Sequence, residues 1–487
     1  MLFNSFQFFV FFPVVTLVYF ALPYRFRWAW LLAASCYFYM AFIPVYILVL
    51  FFTISVDYCA GIAIENAQGR RRRLLLVVSL CANIGVLAVF KYAGFLNANL
   101  AALAAFLRWN YPVQALAIIL PIGLSFHTFQ SMSYTIEVYR GRQPAERHPG
   151  IFALYVMFFP QLVAGPIERP QNLIHQLRAF HPPDHDRIVA GLVLMAWGLF
   201  KKMVIADRLA ILVNQVYNDP TRYQGISLVL ATVFFAYQIY CDFSGYSDIA
   251  LGAAQVLGVR LMQNFNRPYA ARSIGEFWQR WHISLSTWFH DYLYIPLGGN
   301  RTTRARWQFN LVITFLVSGL WHGASWTFVV WGALHAFYML LSIWTQGLYA
   351  RWKSWLRLDR LPALKIALET ATTFGLVCFA WIFFRSNTLA DSLYVVGHLI
   401  PGLGNSMTLA TLKGGTDQIG MDRIALLFSI GLIVVLELIQ YWQARGSISR
   451  VLAARPAWVR WAVYYALVMS ILLFGVFSER TFIYFQF

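Results

Sequence analysis

Long apolar runs, each closed by a short polar or basic stretch, set the rhythm of this chain. The first, MLFNSFQFFVFFPVVTLVYFALPYRFRW, carries no charge before Arg25 and Arg27. Runs over 29–42 and 46–64 follow, joined by an uncharged turn around Pro44, and then comes Arg70-Arg71-Arg72-Arg73. Further runs lie around 74–90, 115–136, 151–166, 188–206, 223–241, 309–321, 326–346, 366–384, 424–442 and 461–478. Each is near the ~20 residues that a helix needs to cross a bilayer. The pattern predicts an all-α polytopic membrane protein with about 11 transmembrane helices plus re-entrant or interfacial helices. No internal repeat or low-complexity tract interrupts it. The polar stretches near 167–187 and 403–422 are loops too short to be domains, so residues 1–487 read as a single membrane domain.

One segment breaks the rhythm: NFNRPYAARSIGEFWQRWHISLSTWFHDYLYIPLGGN, residues 264–300. Ser273 and Glu276 have capping-box spacing and predict a helix start. Ile274, Phe277, Trp278, Trp281, Leu285, Trp288, Phe289 and Tyr292 then recur at the spacing of one helical face. Glu276, Gln279, Arg280 and Asp291 make the segment too polar to span. It reads as one amphipathic helix, ended by Pro296 and Gly298-Gly299, that lies at the interface or re-enters a protein cavity. His282 beside the apolar stripe is unusual for a simple anchor.

A second oddity is the stretch from Trp307 to Ala350, 44 residues without Asp, Glu, Lys or Arg. That is about two spans, with a break near Gly319–Ser325, and His322 stands at the break. Gly323 and Ala324 are small enough to admit another backbone or a ligand. An ionisable group at such depth is either functional or a neutral histidine hydrogen-bonded between helices. The residues alone leave both open, although neutral imidazole suits general-base work. His335, on the following span without polar neighbours, reads as structural. In YQIYCDFSGYSDIALG, Asp242 and Asp248 adjoin a strongly apolar run and need donors, which Ser244, Tyr246 and Ser247 can supply. A hard cation wants more oxygens than this spacing provides. Holding a bent, polar backbone around a cavity is the reading preferred here.

Composition sharpens the class. The chain is 60% hydrophobic and 12% charged, where a soluble domain carries about 25% charged residues. The net charge of +18 belongs to cytoplasmic loops rather than to nucleic-acid binding. Counting three crossings from an outside N-terminus puts the four-arginine cluster in the cytoplasm, and the basic residues after the first run argue against a cleaved signal. The five cysteines, Cys36, Cys59, Cys81, Cys241 and Cys378, have no metal or disulfide spacing and read as small buried residues. Nucleotide-cradle and hydrolase-elbow motifs are missing. The His181/His185 pair is interrupted by Pro182-Pro183 and reads as a loop.

RWHISLSTWFHDYLYIPLGGNR, followed about forty residues later by GLWHGASWTFVVWGALH, resembles the membrane-bound O-acyltransferase family, in its bacterial alginate O-acetylase-like branch. LPIGLSFHTFQSMSYTIEVYRG (120–141), FFPQLVAGPIERP (158–170) and QIYCDFSGYSDIALG (238–252) add to the likeness, and the motif-bearing core is about 115–345. The resemblance implies that family's helical fold with two funnels meeting near the bilayer centre. It implies His322 as the catalytic residue and His282 as a second functional position on the cytoplasmic side. It also implies a donor channel drawn from Trp281, Ser286, Trp321, Trp326, Asp242, Ser244, Asp248, Asn264 and Arg280. His127 departs from the aromatic residue expected at its place. The expected donor is cytosolic acetyl-CoA or another acyl thioester, with no permanently bound cofactor and no metal. The expected setting is a bacterial inner membrane, with membrane lipid around the chain and periplasmic polysaccharide-modifying partner proteins completing the transfer. The expected acceptor is a cell-surface polysaccharide. D-alanylation, another lipid or protein acceptor, or a lipid-linked glycan transporter are the alternatives; inverted repeats, which would favour a transporter, are not evident.

Overall fold

The computed structural model describes residues 1–113, 121–400, 422–444, 454–477 and 482–483, and among them helices are the regular element and strands do not occur. Eight helical segments are long and apolar enough to cross a membrane: 44–66, 69–106, 185–218, 226–256, 326–344, 362–385, 423–443 and 457–474. The remaining helices are shorter or more polar, and several lie buried in the protein. The loop expected over 403–422 lies outside the described residues except for Asp422.

The chain folds into two units. Among the described residues, one takes 1–195 and 246–263; the other takes 196–245 and those from 264 to 483.

In the first unit, α1 (Phe6–Ala21) is capped by Ser5, whose hydroxyl accepts from the Phe8 N–H. It is followed by α2 (Tyr24–Met40), α3 (Ile47–Asn66) and α4 (Gly69–Leu87), the last continuing through a π turn into α5 (Ala93–Phe106). Their outward side chains, such as Leu48 and Phe52, are apolar because the solvent there is lipid. Cys59 and Cys81 are exposed on these helices, against the expectation that all cysteines are buried. Next, α6 (Leu124–Tyr139) starts at Gly123, whose φ of 76° suits glycine. Fourteen of its sixteen residues are buried, many of them polar. The run at 151–166 is not one span: α7 (Pro149–Met157) and α8 (Phe159–Leu162) are split at Phe158, with Pro160 opening the second piece. The stretch after it is partly helical, with α9 (Pro170–Leu177) and then α10 (His185–Leu199). His181 lies in the connection and His185 opens α10, so the pair forms no helical motif.

Asp57 on α3 is the polar centre of this unit. Its carboxylate accepts from Ser79 Oγ (2.6 Å) and Asn83 Nδ2 (3.0 and 2.8 Å) on α4 and from Ser131 Oγ on α6. Near the end of the chain segment that follows α8, Glu168 accepts from Asn172 Nδ2 at 2.6 Å and from the Met262 N–H. Burial pushes Glu168 up to about 7, against the hydrogen bonds from Met262 and Asn172 and the nearby Arg169, which pull it down.

In the second unit, α10 passes through a π turn, Phe200–Ala206, into α11 (Asp207–Asn218). The long α12 (Ile226–Val256) is one uninterrupted helix, so the DFSGYSD segment does not bend the backbone. After it come α13 (Ile274–Arg280), α14 (Ile283–Phe289), α15 (Arg304–His322), α16 (Trp326–Trp344), α17 (Gln346–Trp355), α18 (Pro362–Arg385), α19 (Leu389–His398), α20 (Arg423–Gln443) and α21 (Ala457–Phe474). Thr303 caps α15 and Ser325 caps α16 through their hydroxyls. These two helices pack backbone to backbone. A Cβ on Gly332 would lie 2.5 Å from the Phe315 carbonyl oxygen, and Gly319 faces the Phe328 carbonyl in the same way. That closeness holds the 322–326 turn in place.

Candidate active site

The histidine-bearing segment is not one helix. Trp281 is extended and His282 is left-handed, with φ 42° and ψ 56°, so α13 stops and α14 starts afresh. A non-glycine residue in this conformation costs roughly 1–3 kcal/mol, and histidine is among the types that tolerate it best. Several backbone groups at the break find partners elsewhere in the chain. The Ile283 N–H donates to the Asn264 carbonyl (2.9 Å), Asn266 N–H to the Arg280 carbonyl (2.9 Å), and Ser286 N–H to the His282 carbonyl (2.9 Å). Ser284 Oγ donates to Asn264 Oδ1 at 2.7 Å and Ser286 Oγ to the Trp281 carbonyl at 3.1 Å. Asn264 and Ser286 thus act on the backbone of the break. Ser273 does cap α13, but Glu276 reaches back to the Arg272 N–H rather than closing the box on Ser273.

The expected apolar stripe is inside the protein. Phe277, Trp281, Leu285, Trp288 and Phe289 are all buried, which removes the surface-anchor reading. Arg280 pairs with Glu276 at 2.6 Å. Burial alone would raise Glu276, but the Arg272 N–H and the Arg280 guanidinium outweigh it and hold this carboxyl below its usual range. His282, fully buried and outside the spans, is pushed down to about 3 by desolvation, so its ring is neutral at physiological pH.

His322 closes α15, 4% exposed. Its ring stands edge-on to Trp321 (centroids 4.9 Å), Trp331 (4.9 Å) and Phe384 (5.3 Å). The Trp321 ring is 6.1 Å from that of His282, and the Phe243 ring is 4.6 Å from it. The two histidines therefore flank one indole. Trp281 joins the same aromatic mass through Trp381 (5.1 Å), which stacks on Trp331 (5.9 Å, 18°). The space over Gly323 is filled by the Phe328 ring. Trp326, expected in the donor channel, opens α16 with 55% of its surface exposed. His335 accepts from Trp278 Nε1 at 3.3 Å, as befits a structural histidine.

Asp242 is 3% exposed and pairs with Lys202 Nζ at 2.6 Å, while its other oxygen accepts from the Ile483 N–H at 2.8 Å. Lys202 also reaches Asp207, at 2.9 Å. The neighbouring Lys201 donates to Ser244 Oγ at 2.9 Å. The π turn at 200–206, which widens the helix, turns both lysines inward. Hydroxyls were the expected donors for Asp242, and the structure supplies an ammonium and a backbone amide instead. Asp248 lies on the part of α12 that belongs to the first unit and is half-buried. His127 is buried on α6, also in the first unit. Among the described residues, no group of three or more His, Cys, Asp or Glu could hold a metal ion.

Sequence reasoning missed Trp331, Trp381, Phe384, Lys202 and Asp207. The lysines carried a signal: Lys201-Lys202 in LFKKMVIAD are two charges inside an apolar run.

Comparison with known proteins follows this geometry. A family model described as MBOAT, membrane-bound O-acyltransferase family, matches residues 128–382. That interval holds the candidate site residues except His127 and Phe384. The chain is 40% identical over 404 residues to the probable alginate O-acetylase of Azotobacter vinelandii, covering 80% of this chain and 76% of that protein. It is 34% identical over 446 residues to the peptidoglycan O-acetyltransferase of Helicobacter pylori, covering 85% and 82%. Likeness to the teichoic acid D-alanyltransferase of Bacillus subtilis is weaker, 26% over 275 residues, covering 54% and 68%.

Proposed function

Because the chain belongs to the membrane-bound O-acyltransferase family, it is a multi-pass membrane O-acyltransferase, and we propose that it passes an acetyl group from a cytosolic acyl thioester such as acetyl-CoA across the inner membrane for O-acetylation of a cell-surface polysaccharide. The observation that carries this reading is the 40% identity to an alginate O-acetylase over 80% of the chain. Acetyl is favoured over D-alanyl because the D-alanyltransferase relative is only 26% identical over a shorter stretch. Periplasmic partner proteins complete the transfer in this reading, and the N-terminus faces the periplasm.

In the proposed chemistry His322 is the general base. It takes the proton of the accepting hydroxyl, whose oxygen attacks the thioester carbonyl; the carbon–sulfur bond breaks and the departing thiolate takes up that proton. The rings of Trp321, Trp331 and Phe384 keep water from the same carbonyl. His282 lies on the far side of Trp321, nearer the donor, and Trp281, Ser286, Asn264 and Arg280 hold the backbone that carries it. Asp242 and Ser244, fixed by Lys202 and Lys201, shape the donor channel. Trp326 completes the proposed channel set.

General-base action is worth ~10²–10⁴-fold, so His322→Ala at matched membrane level removes that much turnover. The test measures ester-linked acetate on extracted surface polysaccharides from wild type, a deletion strain and His322→Ala. Both mutants lose acetate from one polymer if the reading holds. Full acetate in His322→Ala overturns the role of the imidazole, and full acetate in the deletion overturns the polysaccharide acceptor.

A further inference from the structure

A cavity of about 250 Å³ in the first unit lies where α1 meets α2. Arg25, Arg27 and Arg178 line it, and no Asp or Glu does. Only one of the three arginines is neutralised: Arg178 grips Glu146 through Nε (3.1 Å) and a second nitrogen. Arg27 is 7% exposed and held by three carbonyls, with Nε on Leu22 (3.1 Å), one terminal nitrogen on His181 (2.8 Å) and the other on Phe20 (3.3 Å). Its charge lies 5.0 Å from the centroids of both Tyr19 and Phe180. Arg25 is exposed, and among the described residues no carboxylate pairs with it or with Arg27.

His148 adds a donor. Its Nδ1 accepts from the Gly150 N–H (3.1 Å) and the Ile151 N–H (3.2 Å) at the start of α7, so the proton of the neutral ring sits on Nε2. Its edge meets Trp28, with ring centroids 4.6 Å apart. The hollow is therefore positive and donor-rich, and it carries no acceptor charge of its own. Such a cavity concentrates field for an anion. Its volume falls below the roughly 300–1,000 Å³ that drug-sized ligands fill, so it suits a head group rather than a whole nucleotide cofactor.

The surroundings are those of a membrane interface. Tyr24, Phe26 and Phe180 expose about half of their surfaces beside the arginines, the aromatic and basic mixture of the head-group zone. Along α1 above them, Val10, Val14 and Leu17 are exposed and apolar, a surface for acyl chains. Basic pockets between membrane helices bind anionic head groups. We propose that this cavity binds the phosphate of an anionic membrane phospholipid, with Arg25 and Arg27 as its charge and the exposed face of α1 along its chains.

The experiment uses the full-length protein purified in neutral detergent and titrated with short-chain phosphatidylglycerol, short-chain phosphatidylcholine and inorganic phosphate. Native mass spectrometry reads the lipid retained. Wild type should hold one phosphatidylglycerol per chain at least about tenfold more tightly than phosphatidylcholine. Arg25→Glu should lose about tenfold or more, as expected for a charge-assisted phosphate contact, while Arg25→Lys keeps most of the binding. Ala179→Trp, which fills the cavity from an exposed lining position without changing charge, should lose it too. Equal retention by wild type and both Arg25→Glu and Ala179→Trp overturns the site, as does equal affinity for the two lipids. Displacement of phosphatidylglycerol by excess inorganic phosphate overturns the bilayer as the source and leaves a site for phosphate from solution.

Discussion

Asp57 and Asp242 are both carboxylates buried in apolar helices, and they are kept there by opposite means. Asp57, fully buried, is surrounded by neutral donors: two serine hydroxyls and an asparagine amide. Asp242 shares a lysine with a second carboxylate, Asp207, and adds a backbone amide. The first arrangement ties α3, α4 and α6 with hydrogen bonds whose donors would survive the loss of the charge. The second rests on charge, with one ammonium contacting two buried carboxylates at once. Neutral clamps degrade by degrees; a shared ion pair fails outright.

The comparison breaks most visibly at the lysine. Lys202→Met removes the ammonium that Asp207 and Asp242 share, and breaking a buried pair costs about 3–5 kcal/mol. The expected outcome is little folded protein in a fluorescence-detected gel-filtration assay, with Asp242→Asn far milder because Lys202 keeps Asp207. Next in size is Asp57→Ala, which strands three buried donors at about 1–3 kcal/mol of lost stability, read as a clear fall in the detergent melting temperature. Asp57→Asn keeps an oxygen for Ser79 or Ser131 and should cost about 1 kcal/mol or less. A drop for Asp57→Asn as large as that for Lys202→Met would erase the contrast.

Glu168 sharpens the same point with the smallest effect. Its folded value, about 7, lies above the ordinary glutamate value. The stability this group contributes is complete below about pH 4.5 and is lost as pH rises through about 7. Wild type should therefore melt lower at pH 8 than at pH 5, and Glu168→Gln should flatten its share of that slope by about a degree or two. An unchanged slope in Glu168→Gln would mean that burial does not govern this carboxyl.

Much of the membrane architecture was legible because apolar length and basic punctuation are local signals. The break at Gly319–Ser325 followed from one uncharged stretch being too long for a single helix, and α15 does end at His322. The split at His282 was invisible for a physical reason. The apolar spacing from Phe277 to Tyr292 runs straight through it, and what stops the helix is Asn264, eighteen residues earlier. The same distance hid the charged triad, whose Lys202 and Asp242 are forty residues apart. Asp57 was passed over as a lone charge within an apolar run, since its three partners lie on two other helices. Trp331 lies five residues beyond Trp326 along α16, on another face of the helix, and nothing local to it marks its contact with His322.

The left-handed backbone at His282 has a consequence for mutagenesis of the site. Alanine, the customary neutral replacement, must adopt a conformation that L-residues with a Cβ resist, whereas asparagine and glycine enter it readily. A loss of activity in His282→Ala would therefore mix imidazole chemistry with the collapse of a hinge that positions Trp281 and Ser286. His282→Asn is the cleaner control, because it removes the ring and leaves the geometry at little cost.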